Sequence, residues 1–277
     1  MPLIAVAQFA PVDDSVANLV TIRGLAESAA RRGATLVVFP EYSSWFAPEM
    51  GPDWVQAAQA LDGPFVTGLG ELARELDVHL VAGIVESTDD AARVSNTLVA
   101  VAPSGAIEAV YRKLHLYDAF GARESDWILA GDIAQPQLFG WEGFTVGLQT
   151  CYDIRFPEVS RRLVDAGADL VLVPAEWVRG PLKEAHWRTL LTSRALENTI
   201  YVAGADHAPP VGVGNSMVVD PMGVELVTIG EGTGVAVAEL TPDRLIEVRA
   251  VNPALALRRF SVIEGKPVSP ENGVQRM

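Results

Sequence analysis

Apolar runs of strand length alternate with helical patterns along most of the chain. "LIAVAQFAP" (3–11) is a short, nearly continuous apolar run, the mark of a strand buried on both faces. "SVANLVTIRGLAESAARRG" follows, with Val16, Leu19, Val20, Ile22, Leu25, Ala26 and Ala29 close to a 3.6-residue period. Its closing Arg-Arg-Gly predicts an amphipathic helix with cations and a glycine at the C-terminus. "ATLVVFPE" (34–41) is a second buried strand, "VTGLGELARELDV" a helix, and "HLVAGIVES", "SNTLVAVAPSG" and "AIEAVYRK" three further strands. The second half repeats the theme: strand "FTVGLQTC", helix "PEVSRRLVDAG", strand "ADLVLVPAE", helix "KEAHWRTLLTSRALEN" and strand "TIYVAGAD". "GNSMVVDPMGVELVTIGEGTGVAVAEL" has the Asp-Pro-Met-Gly and Gly-Glu-Gly turns of a β-meander.

Two segments echo each other. "RRGATLVVFPE" and "DAGADLVLVPAE" both run from a helix end through glycine and a buried strand to Pro and an acid. Two such βα halves predict an α/β protein in which two sheets pack face to face with helices outside, a four-layer α-β-β-α sandwich. No Gly-, Ser- or Pro-rich linker separates the halves, so one domain over residues 1–260 is expected, with an extended tail over 261–277.

Composition narrows the function. Of the 277 residues 49% are hydrophobic, enough for a large core and a surplus that points to a homodimer or higher homo-oligomer. A net charge of −14 argues against nucleic acid and anionic membrane, which need clustered Lys and Arg. One cysteine excludes an intramolecular disulfide and a multi-cysteine zinc site. No apolar run approaches the roughly 18 residues of a membrane helix. "MPLIAVAQFAPVDD" lacks the basic flank of a signal peptide, and a cytoplasmic location is expected.

The single thiol, Cys151, ends an apolar run and precedes the helix opened by Pro157 and Glu158. A strand-to-helix turn would expose its sulfur, and a helix N-terminus or nearby cation would favour the thiolate. The next backbone N–H, that of Tyr152, could face an oxyanion. The competing reading is a small buried hydrophobe. None of the four histidines (His79, His115, His186, His207) is tied to Cys151 by spacing, His115 in "YRKLHLYD" being the most suggestive. Glu41 and Lys113 each close a strand, so Glu, Lys and Cys at three strand ends would present a base, a cation and a nucleophile on one rim. Solvated strand-end charges are the alternative. HExxH, Walker and GxGxxG motifs are absent, which removes zincin, nucleotidase and dinucleotide readings.

"VVFPEYSSW", "YRKLHLYDAF" and "QTCYDIRFPEVSRRL" together resemble the three signature segments of the nitrilase superfamily of carbon–nitrogen hydrolases. "HWRTLLTSRALENTIYVAGAD" and "GNSMVVDPMGVEL" fit in the right order, so the resemblance covers about residues 3–260. It implies Glu41 as general base, Lys113 as oxyanion stabiliser, Cys151 as nucleophile and Glu124 as a second glutamate positioning lysine and substrate. Glu108 and Asp126 are the poorer alternatives for that last place. It also implies a homo-oligomer without a metal or organic cofactor. "CYDIRFPE" followed by "PAEW" resembles the amidase branches, particularly ω-amidases and deaminated-glutathione amidases, whose substrates are small linear amides.

Arg155 could receive a substrate carboxylate, or could instead pair internally with Glu158. Arg179 and Lys183 are further cationic candidates, and Trp177 and Phe120 candidate pocket walls. Glu176 echoes Glu41 one residue later after its proline and is read as structural. N-carbamoyl amino-acid amidohydrolase is the enzymatic alternative. A scaffold with a redox-sensitive thiol is the other.

Overall fold

The computed structural model describes residues 1–265. In chain order the first half comprises β1 (Leu3–Gln8), α1 (Ser15–Arg31), β2 (Leu36–Val38), α2 (Pro52–Ala57), α3 (Pro64–Leu76), β3 (His79–Glu86), β4 (Val94–Val101), β5 (Ile107–Arg112) and β6 (Ile128–Leu129). The second comprises β7 (Phe139–Trp141), β8 (Phe144–Leu148), α4 (Pro157–Asp165), β9 (Leu170–Ala175), α5 (Lys183–Asn198), β10 (Tyr201–Asp206), β11 (Met217–Val219), β12 (Glu225–Thr228), β13 (Gly234–Glu239) and α6 (Pro242–Val251). One sheet has the order β13-β1-β2-β3-β4-β5 with β6 beside β4, and the other the order β12-β11-β10-β9-β8-β7.

Alternate residues of the strands explain the layers. Ile4, Val6, Leu36 and Val38 meet Val146, Leu148, Leu170 and Leu172 between the sheets. Their neighbours Ala5, Ala7 and Val37 face outward onto Ile22 and Ala26 of α1 and Leu69 and Leu72 of α3. Val171, Val173 and Val202 do the same beneath Leu163 of α4 and Trp187 and Leu191 of α5. Strands buried on both faces need apolar residues throughout, which is why these read as continuous runs. The sandwich predicted from the echo is the fold, with β2 and β9 as corresponding strands inside their sheets.

Three expectations change. The buried stripe of α1 is Asn18, Ile22, Ala26 and Ala29, whereas Val16 and Val20 are exposed on the opposite side. The predicted meander is divided: β11 and β12 close one sheet, but β13 crosses over and pairs antiparallel with β1 in the other. The step between sheets is invisible to a period-two pattern. Helices α2 and α6 were not expected from periodicity; each begins with a proline at the first turn, which suits a helix start. Beyond α6 the described chain forms no further helix or strand to 265, and the rest of the expected tail, 266–277, lies outside the described residues. Among the described residues no helix is long and apolar enough to cross a membrane.

Candidate active site

The parallel strands of both sheets end on the same side. Phe9, just past β1, bridges in parallel to His207, just past β10, which brings the two sets of C-terminal strand ends together. Glu41 lies three residues beyond β2, Lys113 immediately beyond β5, and Cys151 three residues beyond β8. The single rim expected from the sequence is therefore formed by both sheets jointly.

Each side chain is placed by its backbone. The chain after β2 folds back on β3, with Gly83 N–H donating to Pro40 O and Ser44 N–H to Gly83 O, both at 3.1 Å. A Cβ at Gly83 would come within 2.5 Å of Tyr42 N and 2.6 Å of Glu41 Cα, so only glycine permits this approach. The neutral His207 ring donates through Nε2 to Glu41 O at 2.7 Å, since a carbonyl can only accept. Burial holds His207 down at a pKa of about 4. Lys113 N–H is held by Asn96 O at 2.9 Å, continuing the β4–β5 ladder. Cys151 opens a five-residue 3-10 turn, Cys151–Arg155, rather than the helix itself, and its φ of +44° is a left-handed value rare outside glycine. Asp153 anchors this turn by accepting from Tyr111 Oη at 2.7 Å and from His115 N at 2.9 Å.

The charges form a closed set. Lys113 Nζ donates to Glu41 Oε1 at 2.9 Å and to Glu124 Oε1 at 3.0 Å. Asn96 Nδ2 donates to Glu41 Oε1 at 2.6 Å. Tyr42 Oη and Tyr117 N–H complete Glu124 at 2.6 and 2.5 Å. Lys113, Glu41 and Glu124 are 2%, 1% and 4% exposed, so they are not solvated strand-end charges. Burial opposes the Lys113 charge, but Glu124 and Glu41 overcome it and hold the ammonium well above the usual lysine range. Of the three acidic candidates Glu124 is the one bonded to Lys113, whereas Glu108 pairs with His79 at 3.2 Å and Asp126 with Arg123 at 3.6 Å.

Cys151 differs from expectation. Its residue is 6% exposed, and burial followed by the Glu41 charge pushes the thiol well above its usual range. The protonated thiol, not the thiolate, is the resting form. Its Sγ donates to Glu176 O at 3.5 Å, while Glu176 N–H donates to Glu41 Oε2 at 2.6 Å, so one residue's backbone touches both thiol and carboxylate. Glu176, read as structural from the sequence, thus stands at the centre of the site. The most suggestive histidine, His115, is occupied elsewhere: it stacks on Phe156 with ring centroids 3.7 Å apart, and its Nδ1 lies 2.8 Å from Asp153 Oδ1.

A cavity of about 480 Å³ opens onto Cys151, Lys113, Glu124 and Glu176, within the size range of small-ligand sites. Tyr152, Trp177 and Lys183 also line it. The Arg155 guanidinium lies 4.7 Å from the Trp177 ring centroid but outside the cavity lining, and no ion pair with Glu158 forms among the described residues. Lys183 Nζ donates to Tyr117 Oη at 2.9 Å and sits 4.3 Å from the Phe120 ring centroid. Phe120 itself is 72% exposed and stands outside the cavity lining. Arg179 points away and pairs with Glu231 at 3.0 Å. Asn96 was missed, although "SNT" places three polar residues consecutively in a strand that is otherwise apolar and wholly buried. That break in pattern is the available signal.

The carbon–nitrogen hydrolase family model matches residues 3–250. This chain belongs to the carbon–nitrogen hydrolase family. Deaminated glutathione amidase of Escherichia coli is 40% identical over 261 residues, 94% of this chain and 98% of that protein. The solved NitFhit protein of Caenorhabditis elegans superposes with a TM-score of 0.84 at 30% identity, covering 93% of this chain; this chain spans 65% of that one. A superfamily protein of Xanthomonas campestris, solved with an arsenic adduct in its active site, gives a TM-score of 0.83 at 27% identity, with 95% and 99% of the two chains covered. The hydrolase described here is accordingly a nitrilase-superfamily amidase acting on carbon–nitrogen bonds other than peptide bonds.

Proposed function

We propose that this hydrolase releases ammonia from a small linear amide bearing an acid group, through a thioester on Cys151. Glu41, Lys113 and Cys151 form the catalytic triad. The carrying observation is that the thiol and the Glu41 carboxylate are both bound to the backbone of Glu176 beside Lys113. Glu41 takes the thiol proton as sulfur attacks the amide carbon, which suits a thiol that rests protonated. Lys113 and the Tyr152 N–H stabilise the oxyanion. Glu41 returns the proton to the leaving nitrogen, and ammonia departs. Water, deprotonated by Glu41, then splits the thioester; the acid leaves and the thiol regains its proton. Glu124 keeps Lys113 oriented, and Arg155, with Lys183 beside it, receives the substrate carboxylate over Trp177.

The deaminated-glutathione class of substrate is favoured by the named activity of the Escherichia coli relative. A homo-oligomer fits the exposed apolar residues Met222 and Val224, just before β12, and Leu226 within that edge strand. The test is ammonia release from a panel of ω-amides, deaminated glutathione, N-carbamoyl amino acids and nitriles, with wild type and Cys151→Ala. Turnover of acid-bearing amides that Cys151→Ala lowers by more than about 10⁴-fold is expected. A preference for N-carbamoyl compounds, or persistence of activity without the thiol, would overturn the proposal.

A further inference from the structure

We infer that Glu176 is a specificity-determining residue whose side-chain carboxyl, in the cavity wall beside Cys151, accepts a hydrogen bond from the N–H of the substrate's scissile amide. This rests on the amidase reading of the site.

The inference comes from counting acceptors. A primary amide brings one carbonyl oxygen, which turns toward Lys113, and an NH₂ end that needs acceptors of its own. Glu41 offers little: Oε1 already accepts from Lys113 and Asn96, and Oε2 from Glu176 N–H. Glu124 is equally engaged, by Lys113, Tyr42 and Tyr117. The Glu176 carboxyl, by contrast, makes no side-chain hydrogen bond among the described residues: Oε1 is shut off from solvent without a partner, which leaves Oε2 as the oxygen open to the cavity that Glu176 lines. A carboxyl oxygen at the cavity with no protein donor is free to accept a substrate N–H. Asp206 Oδ2 is also without a partner, but Asp206 does not line the cavity.

The position is rigid. Glu176 follows the last residue of β9, where Ala175 pairs with Asp206 of β10, and the next amide, Trp177 N–H, donates to Asp206 Oδ1 at 2.7 Å. Burial, and then the Glu41 charge, push the Glu176 carboxyl well above the usual carboxylate range. A neutral carboxyl can accept the N–H without placing a third negative charge beside Glu41 and Glu124, which an acid-bearing substrate would have to oppose. An ester of the same acid has no N–H to offer, so the contact discriminates amides from esters.

The test compares kcat/KM for a primary amide and for the methyl ester of the same acid, using the full chain. Glu176→Met keeps length and removes the acceptor; Glu176→Gln keeps an accepting carbonyl. The amide-to-ester ratio is expected to fall at least about tenfold in Glu176→Met, the scale of one hydrogen bond, and to stay within about threefold of wild type in Glu176→Gln. If the methionine variant does not fold, Glu176→Ala is measured in its place. A ratio that is unchanged, or that falls equally in the glutamine variant, would overturn the assignment. Wild-type turnover that disappears in Cys151→Ala confirms the amidase reading separately, so the two ideas can fail independently.

Discussion

Two walls of one cavity are built on opposite plans. On the inner wall Lys113 is bonded to two carboxylates, and those carboxylates are filled further by Asn96, Tyr42, Tyr117 and Glu176 N–H. On the outer side Lys183 and Trp177 line the cavity, and Arg155 rests over Trp177 just behind that lining, so that both cations sit on aromatic faces. Arg155 Nε and Nη2 have no hydrogen-bond partner among the described residues. On the inner wall the Lys113, Glu41 and Glu124 charges are paired before substrate arrives, which is what a preorganised reaction centre requires. Neither Arg155 nor Lys183 pairs with a carboxylate among the described residues, so the outer wall can be completed by one from a ligand.

The largest effects should come from opening the inner wall. Strand-end charges exposed to water would be cheap to remove, but these are buried, and removing one partner strands the others. Lys113→Ala should lose about 3–5 kcal/mol of stability in urea unfolding, besides at least about 10²-fold in turnover from the lost oxyanion contact. Glu41→Gln keeps size and should lose a similar factor in turnover with a smaller cost in stability. A Lys113→Ala protein as stable as wild type would show that the inner wall is not closed.

Changing the outer wall should be gentler and selective. Arg155→Lys keeps the charge but not the forked guanidinium that matches a carboxylate. The ratio of kcat/KM for an acidic amide to that for its neutral analogue should drop at least about tenfold, with the neutral amide nearly unaffected. Equal losses on both would remove Arg155 from the substrate site and direct attention to Lys183.

The same contrast explains what could be read from the sequence. Sandwich, strands and helices follow from apolar runs whose period is local, and Glu41, Lys113, Glu124 and Cys151 from motifs matched as a set. The crossing of β13 to the opposite sheet is a long-range choice that no local period records. The protonated state of Cys151 depends on burial and on Glu41, which lies on another strand end. Asn96 carries no motif, and "PAEW" gives Glu176 no role of its own, yet the fold brings them against Glu41 from 55 and 135 residues away. Glu176 was discounted because it is offset by one residue from the Glu41 pattern.

A pH-dependent effect tests how the inner wall is held from behind. His207 is buried, donates to Glu41 O, and has its pKa lowered from 6.5 to about 4. Between those values the unfolded chain binds a proton that the folded chain excludes. The contribution of neutral His207 is therefore fully present above pH 6.5 and is lost as pH falls toward 4. The slope is about 1.4 kcal/mol per pH unit across this window. Asp206 and Glu176 act in the opposite sense, because burial raises both and their folded forms retain protons. The total curve mixes these contributions, so the useful quantity is a difference between proteins. His207→Gln preserves a donor for Glu41 O and cannot titrate. Urea unfolding of both proteins at several pH values should show wild type losing its margin over the variant as pH falls from 6.5 toward 4. Parallel curves across that range would mean that His207 takes up its proton without unfolding, and that the support behind Glu41 is open to water.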